Sequence, residues 1–141
     1  MQNKASAQWE GTLKEGRGQI STASGALTNA PYTFATRFGG QRGLNPEELI
    51  GAAHSACFSM AVSGALTEAG ITAKKISTQA TVTLEKTGPG FEIIASHLDV
   101  IIEAPGADRR KIEQAAETAK ANCPVSKVLK AKVTMTAMVQ T

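Results

Sequence analysis

Cys57 and Cys123 are the residues of this 141-residue chain best suited by type to redox chemistry. Cys57 lies in NPEELIGAAHSACFSMAVSGALTEAG, residues 45–70, which carries no fixed charge between Glu48 and Glu68. A free cysteine is also a good small core residue, so burial alone would account for it. Its neighbours Ala53, Ala56 and Ala61 are small, however, and leave room for a reactant. A thiol must become thiolate before it attacks, and its ordinary pKa is about 8.5. Apolar burial raises that value. A position about eleven residues into a helix is also out of reach of the free N–H groups at its start. A reactive Cys57 therefore requires a cation from elsewhere.

Arg37 and Arg42 precede the helix, and Arg17 sits in an earlier turn. Each is more commonly a solvated surface charge than a catalytic one. Arg37 is the best placed, because it ends an alternating apolar segment and precedes a glycine pair. Arginine stays charged when water is removed from it, and a carboxylate would then orient it. At about 100° per residue, Glu48 falls roughly 180° from Cys57, whereas Glu47 falls roughly 80° away, nearly in line with His54. Glu47 is thus the candidate, and Glu48 reads as an N-terminal cap. Glu47 and Cys57 stand about 15 Å apart along the axis, so they cannot touch on a regular helix.

His54 could serve as a base, although a histidine packed against a helix neighbour is the commoner case. His97 alternates with apolar residues on a strand and is assigned no role. Cys123 stands where a helix meets Pro124. Brought to Cys57, it would make a pair in which the first thiol attacks a peroxide and becomes sulfenic acid. The second would then condense with it to a disulfide. Two unrelated buried cysteines are the plain alternative. Two cysteines with His54 and His97 complete no recognisable zinc spacing.

The elements that must position these residues follow from composition and pattern. Hydrophobic residues make up 42% and charged residues 19%, a globular balance. The length suggests one domain over residues 1–141, long enough for a core. Aromatics are 4%, so that core is built of Ala, Val, Ile and Leu. A net charge of +3, with no basic block interleaved with aromatics, argues against a nucleic-acid partner. The first residues hold no apolar signal segment. Residues 49–67 approach membrane-spanning length but include Gly51, His54, Ser55, Ser59, Ser63 and Gly64, a poor lipid face. A core helix with no membrane partner is the better reading. The expected compartment is the cytoplasm, where thiols stay reduced and a standing structural disulfide is not expected.

Period-two patterns predict strands at 7–12, 18–22 and 32–38. A glycine-rich loop over 39–43 leads to the helix. Asn45 can cap it, Pro46 fits its first position, and Glu47 and Glu48 face the positive end of its dipole. Gly70 supplies the stop. About 24 residues give a rod of roughly 36 Å, too long for one small sheet to cover, so a homodimer is expected. Strands at 76–86 and 91–103 form a hairpin about Thr87-Gly88-Pro89-Gly90. A helix at 108–122 turns Ile112, Ala115, Ala116 and Ala119 inward. A helical turn at 125–131 and a strand at 132–139 complete an α+β order.

The runs NPEELIGAAHSACFSMAVS (45–63) and NCPVSKVLKA (122–131) resemble the osmotically inducible protein C family, which has the organic hydroperoxide resistance proteins as a sister branch. The resemblance extends over nearly the whole chain. QWEGTLKEGRGQIST and PYTFATRF are similar to the osmotically inducible branch itself. It implies an intertwined homodimer, with antiparallel sheets around long central helices and sites built from both chains. It implies a thiol-dependent peroxidase, with Cys57 peroxidatic, Cys123 resolving and Glu47 orienting an arginine. Arg37 matches that arginine, with Arg17 in reserve. The substrate would be a hydroperoxide, preferably organic, and the reductant an external dithiol, often a dihydrolipoyl group in relatives. No metal, flavin or haem cofactor is implied. A non-catalytic dimeric domain binding a small molecule or lipid is the main rival. A cysteine acyl hydrolase is less favoured, for want of a Cys–His–acid set.

Overall fold

The computed structural model describes all residues, Met1–Thr141. Two compact units can be distinguished, Met1–Leu49 and Ile50–Thr141. The first holds strands β1 (Ala5–Glu10), β2 (Arg17–Thr22) and β3 (Ala30–Tyr32) and helix α1 (Phe34–Phe38). Helix α2 (Pro46–Glu68) has its first turn in that unit. The rest of α2 belongs to the second unit, with β4 (Lys75–Thr87), β5 (Gly90–Glu103), α3 (Arg109–Asn122), α4 (Pro124–Val128) and β6 (Lys132–Gln140).

In the first unit β1, β2 and β3 form an antiparallel sheet in that order. Trp9 and Tyr32 both pair with Gly18 across the sheet. A Cβ at Gly18 would collide with the Tyr32 ring. Its absence lets the Trp9 and Tyr32 rings approach to 5.4 Å between centroids, a favourable tilted pair. The first strand starts and ends two residues earlier than the pattern predicts. Gly11 ends it by taking a left-handed φ of +90°.

The predicted strand at 32–38 is corrected. Only Tyr32 continues β3, and residues 34–38 form α1. The reason is local. Thr33 and Thr36 exchange side-chain to backbone hydrogen bonds, at 3.2 and 2.9 Å, in a capping box that starts a helix. The alternation of aromatics with Thr and Arg is overridden by that box. Thr36 Oγ1 also donates to the Leu44 carbonyl at 2.9 Å, and Asn45 Nδ2 donates to the Thr36 carbonyl at 3.1 Å. These bonds tie α1 to the start of α2, where Glu48 N–H donates to Asn45 Oδ1 at 2.8 Å.

In the second unit the sheet order is β4-β5-β6. The hairpin β4–β5 is antiparallel, as expected. The expectation of wholly antiparallel sheets is corrected at β6, which pairs parallel to β5 from Ala95↔Lys132 to Glu103↔Gln140. The chain crosses over through α3 and α4 before β6 begins, and such a crossover returns a strand in the parallel sense. One face of the sheet carries the core. Leu98, Val100 and Ile102 pack with Ile112, Ala115, Ala116 and Ala119 of α3 and with Phe58, Val62 and Leu66 of α2.

Helix α2 buries Gly51, His54, Phe58, Val62 and Leu66, a helical stripe facing the sheet. Gly51 sits 3.3 Å from the Ala80 carbonyl by its would-be Cβ, so a larger residue would lift the helix. By length and composition alone α2 could cross a membrane, with a mean hydropathy of 1.4. Here its inward stripe is seated on a sheet. The opposite stripe, including Ala52, Ala53, Ala56, Met60 and Gly64, is exposed and uncharged.

Candidate active site

The first unit holds an arginine–carboxylate pair. Arg37, in the last turn of α1, meets Glu47 in the first turn of α2. Nε donates to Oε1 and Oε2 at 3.2 and 3.3 Å, and Nη2 donates to Oε1 at 2.8 Å. This fork holds the guanidinium in one plane. Glu47 is buried and the Arg37 side chain is 36% exposed, so the carboxylate anchors and the cation keeps a free edge. Arg37 Cζ also lies 5.1 Å from the Phe38 ring centroid. A cavity of about 220 Å³ opens beside it, lined by Trp9, Leu13, Tyr32, Phe34 and Phe38. Arg17, the reserve candidate, instead pairs with Glu10 at 3.7 Å, and both side chains are largely exposed.

The second unit holds the cysteine pair. Sγ of Cys57 and Sγ of Cys123 are 3.0 Å apart, and both cysteines are free. Cys57 is half-buried on α2 and Cys123 is fully buried. Cys123 is both the last cap of α3 and the residue before Pro124, which starts α4. The residue before a proline is kept extended, and Cys123 has φ −55° and ψ 128°. That corner turns its sulfur to α2.

The environments of the two sulfurs differ. Burial raises the Cys57 thiol, its hydrogen bond with Cys123 raises it further, and the Val125 N–H lowers it. No cation is among the groups that set its pKa. Burial also pushes Cys123 up. That push is outweighed by the hydrogen bond from Cys57, by the Ser126 N–H and hydroxyl and by the Val125 N–H, and the thiol ends lowered. The Cys123 side chain makes no cap hydrogen bond of ordinary geometry, so these α4 groups act on it as nearby dipoles.

His54, one turn before Cys57 on α2, is fully buried. Nδ1 is 2.7 Å from Ser96 Oγ on β5, and Nε2 is 2.8 Å from Ser126 Oγ on α4. Loss of water lowers its pKa below 6.5. Of the residues singled out from sequence, Arg37 and Glu47 are brought together, and so are Cys57 and Cys123. Ser96, Ser126 and Val125 were not singled out. Only the three-residue spacing from Cys123 to Ser126 across a proline could have pointed to Ser126, because it sets them at the two positions of a capping box. His97 lies on the other face of the sheet, 2.6 Å from Thr134 Oγ1.

Comparison with known proteins gives this arrangement a lineage. The family of OsmC-like proteins matches residues 39–138. The chain is 52% identical to peroxiredoxin OsmC of Escherichia coli (strain K12) over 132 residues, covering 94% of this chain and 92% of that protein. It is 28% identical to the organic hydroperoxide resistance protein OhrB of Bacillus subtilis (strain 168), covering 86% and 89% of the two chains. The crystal structure of OhrB superposes with a TM-score of 0.71 at 26% identity, covering 97% of this chain and 98% of that one. With the family match spanning residues 39–138 and a relative 52% identical over 94% of the chain, this chain belongs to the family of OsmC-like proteins.

Proposed function

We propose that the protein is a thiol-dependent peroxidase that reduces hydroperoxides, organic ones by preference, to alcohols. The cycle runs through a sulfenic acid and a disulfide. The observation that carries this reading is the cysteine pair, with two free sulfurs 3.0 Å apart, the outer one half-buried and the inner one sealed. Oxidation follows both thiolate character and exposure. The lowered thiol is Cys123, but it is sealed from solvent, so access decides and Cys57 meets the peroxide while Cys123 resolves. The similarity to a peroxiredoxin and to an organic hydroperoxide resistance protein supports the same chemistry.

In the first step the Cys57 thiolate attacks one peroxide oxygen and the O–O bond breaks. The alkoxide leaves with a proton as alcohol, and Cys57 becomes sulfenic acid. Cys123 then attacks the Cys57 sulfur and closes a disulfide with release of water. An external dithiol, such as a dihydrolipoyl group, supplies two electrons and two protons to restore both thiols. The cycle itself calls for no metal, flavin or haem. A hydrocarbon tail gains by leaving water, and the aromatic cavity beside Arg37 suits such a tail.

The cation that Cys57 needs is not among the groups setting its pKa. Glu47 and Cys57 are also about 15 Å apart along α2. We therefore place the working site in a homodimer, with the Arg37–Glu47 pair of one copy beside the thiols of the other. The uncharged outer stripe of α2 is the natural seam for that dimer. The reduced thiols that the cycle starts from suit a cytoplasmic location. The test is loss of cumene hydroperoxide in the presence of a dithiol. Wild type should consume it and Cys57→Ser should not; equal rates would leave a non-catalytic binding domain as the reading.

A further inference from the structure

His54 takes no part in the cycle as written, yet both of its ring nitrogens are engaged. Nδ1 lies 2.7 Å from Ser96 Oγ on β5, and Nε2 lies 2.8 Å from Ser126 Oγ on α4. A neutral imidazole donates from one nitrogen and accepts at the other. Hydroxyls at both nitrogens therefore fix the orientation of this fully buried ring. His54 stands three residues before Cys57 on α2, and Ser126 stands three residues after Cys123, the N-cap of α4. Residues three apart on a helix share a face, and a cap lies beside the third residue of its helix. Two rungs thus join α2 to the corner between α3 and α4: sulfur to sulfur at 3.0 Å and imidazole to hydroxyl at 2.8 Å.

Helix α4 depends on such a tie. It has five residues, none of them buried, and a helix so short does not hold itself together in water. Val125 is partly buried against the core, whereas Lys127 and Val128 are exposed. On the α3 side the corner is fixed by the Cys123 N–H, which donates to the Ala119 carbonyl at 2.9 Å. On the α4 side the His54–Ser126 bond fixes it to α2. We propose that His54, through Ser126, is a positioning residue for the resolving step. Its hydrogen bond holds the Cys123 corner against α2 while Cys57 is a sulfenic acid.

The need arises at that step. In the reduced protein the Cys123 thiol donates to the Cys57 sulfur. An oxygen added to Cys57 makes that sulfur a poorer acceptor, so the sulfur rung weakens just when the two must react. The imidazole rung uses neither sulfur and persists. Closure then forms the S–S bond and breaks the S–O bond of Cys57, and the hydroxide leaves as water with the Cys123 proton. One sulfenic acid and one thiol become one disulfide and one water. Holding the two sulfurs in reacting geometry raises both the rate and the extent of closure, because less freedom is lost when the bond forms.

The inference rests on the peroxidase reading for the step it assists, and its test reads the thiol pair by two routes. In the first, each protein is equilibrated with graded mixtures of reduced and oxidised dithiothreitol, and the disulfide fraction is counted by thiol trapping and intact mass. In the second, reduced protein is given one equivalent of cumene hydroperoxide, quenched over time with a sulfenic-acid trap, and closure is followed by intact mass. Ser126→Ala should favour the disulfide about tenfold less than wild type, the scale of one buried hydrogen bond. That is a rise of about 30 mV in reduction potential. Its sulfenic acid should close about tenfold more slowly. Ser126→Thr, which keeps the hydroxyl, should return both values to those of wild type. His54→Leu should match Ser126→Ala. Should it fail to fold, the two variants of the half-buried Ser126 decide the matter. Ser126→Ala with the wild-type potential and closure rate would overturn the positioning role and leave the peroxidase intact. Wild-type protein that gains no oxygen and forms no disulfide would overturn both.

Discussion

Cys57 and Cys123 are 66 residues apart in sequence and in sulfur–sulfur contact at 3.0 Å. A disulfide needs about 2.05 Å, so only about 1 Å of closing separates the thiols from the bond. Oxidation should therefore proceed within the folded chain. One equivalent of hydroperoxide is expected to remove two hydrogens from wild type with little change in circular dichroism. Cys123→Ser should retain one added oxygen after the first equivalent and gain more after further equivalents. Intact-mass spectrometry checks both outcomes.

Arg37 and Glu47 are joined by three contacts of 2.8 to 3.3 Å. Arg37→Met is expected to lower kcat/KM for an organic hydroperoxide by about 10²-fold, the usual effect of losing one charge-stabilising donor. Arg37→Lys keeps the charge but not the fork, and should recover only part of the loss. Glu47→Gln keeps the shape and weakens the anchor, so its effect should be the smaller, about tenfold. Steady-state kinetics across the three variants give the ranking.

Met60 is 77% exposed at the centre of the uncharged outer stripe of α2. A charge there should split a helix-to-helix dimer while leaving the inner stripe untouched. Met60→Glu is expected to sediment as a monomer at concentrations where wild type is a dimer. Its peroxidase rate should fall with dissociation and recover in part on concentrating the protein. Analytical ultracentrifugation and activity measured on the same samples provide the check.

Burial holds the His54 imidazole below 6.5, so the unfolded chain binds that proton first as pH falls. The stability due to a neutral His54 is complete above 6.5 and is lost as pH drops through 6.5 toward the folded value. Wild type should therefore melt at a lower temperature at pH 5 than at pH 7. His54→Gln lacks this component, and the gap between its Tm and that of wild type should narrow on acidification. Thermal unfolding at the two pH values is the measurement.

Strong local signals made much of the fold legible. Asn45, Pro46 and Gly70 bracket α2 because caps and a stop act on the backbone directly. The apolar spacing of Ile112, Ala115, Ala116 and Ala119 predicts the buried face of α3. Helix angle and the family resemblance both favour Glu47 over Glu48, and Glu47 is the one that meets Arg37. The failures have physical causes too. Alternation over residues 32–38 hid two threonines whose hydroxyls start a helix. The parallel sense of β6 depends on a crossover, which no pattern within β6 records. Ser96 and Ser126 looked like ordinary surface-type residues, because nothing local says that an imidazole 42 or 72 positions away will need them.

The parallel placement of β6 also orders events in time. The chain emerges from its N-terminus, so Cys57 is made well before the crossover that carries Cys123 and the last strand that fixes it against β5. A ribosome-bound or truncated chain ending before α3 holds a sulfur that oxidant can reach and no second thiol to rescue it. Such a chain is open to irreversible sulfinic and sulfonic damage, and protection begins only once Cys123 has been brought to Cys57.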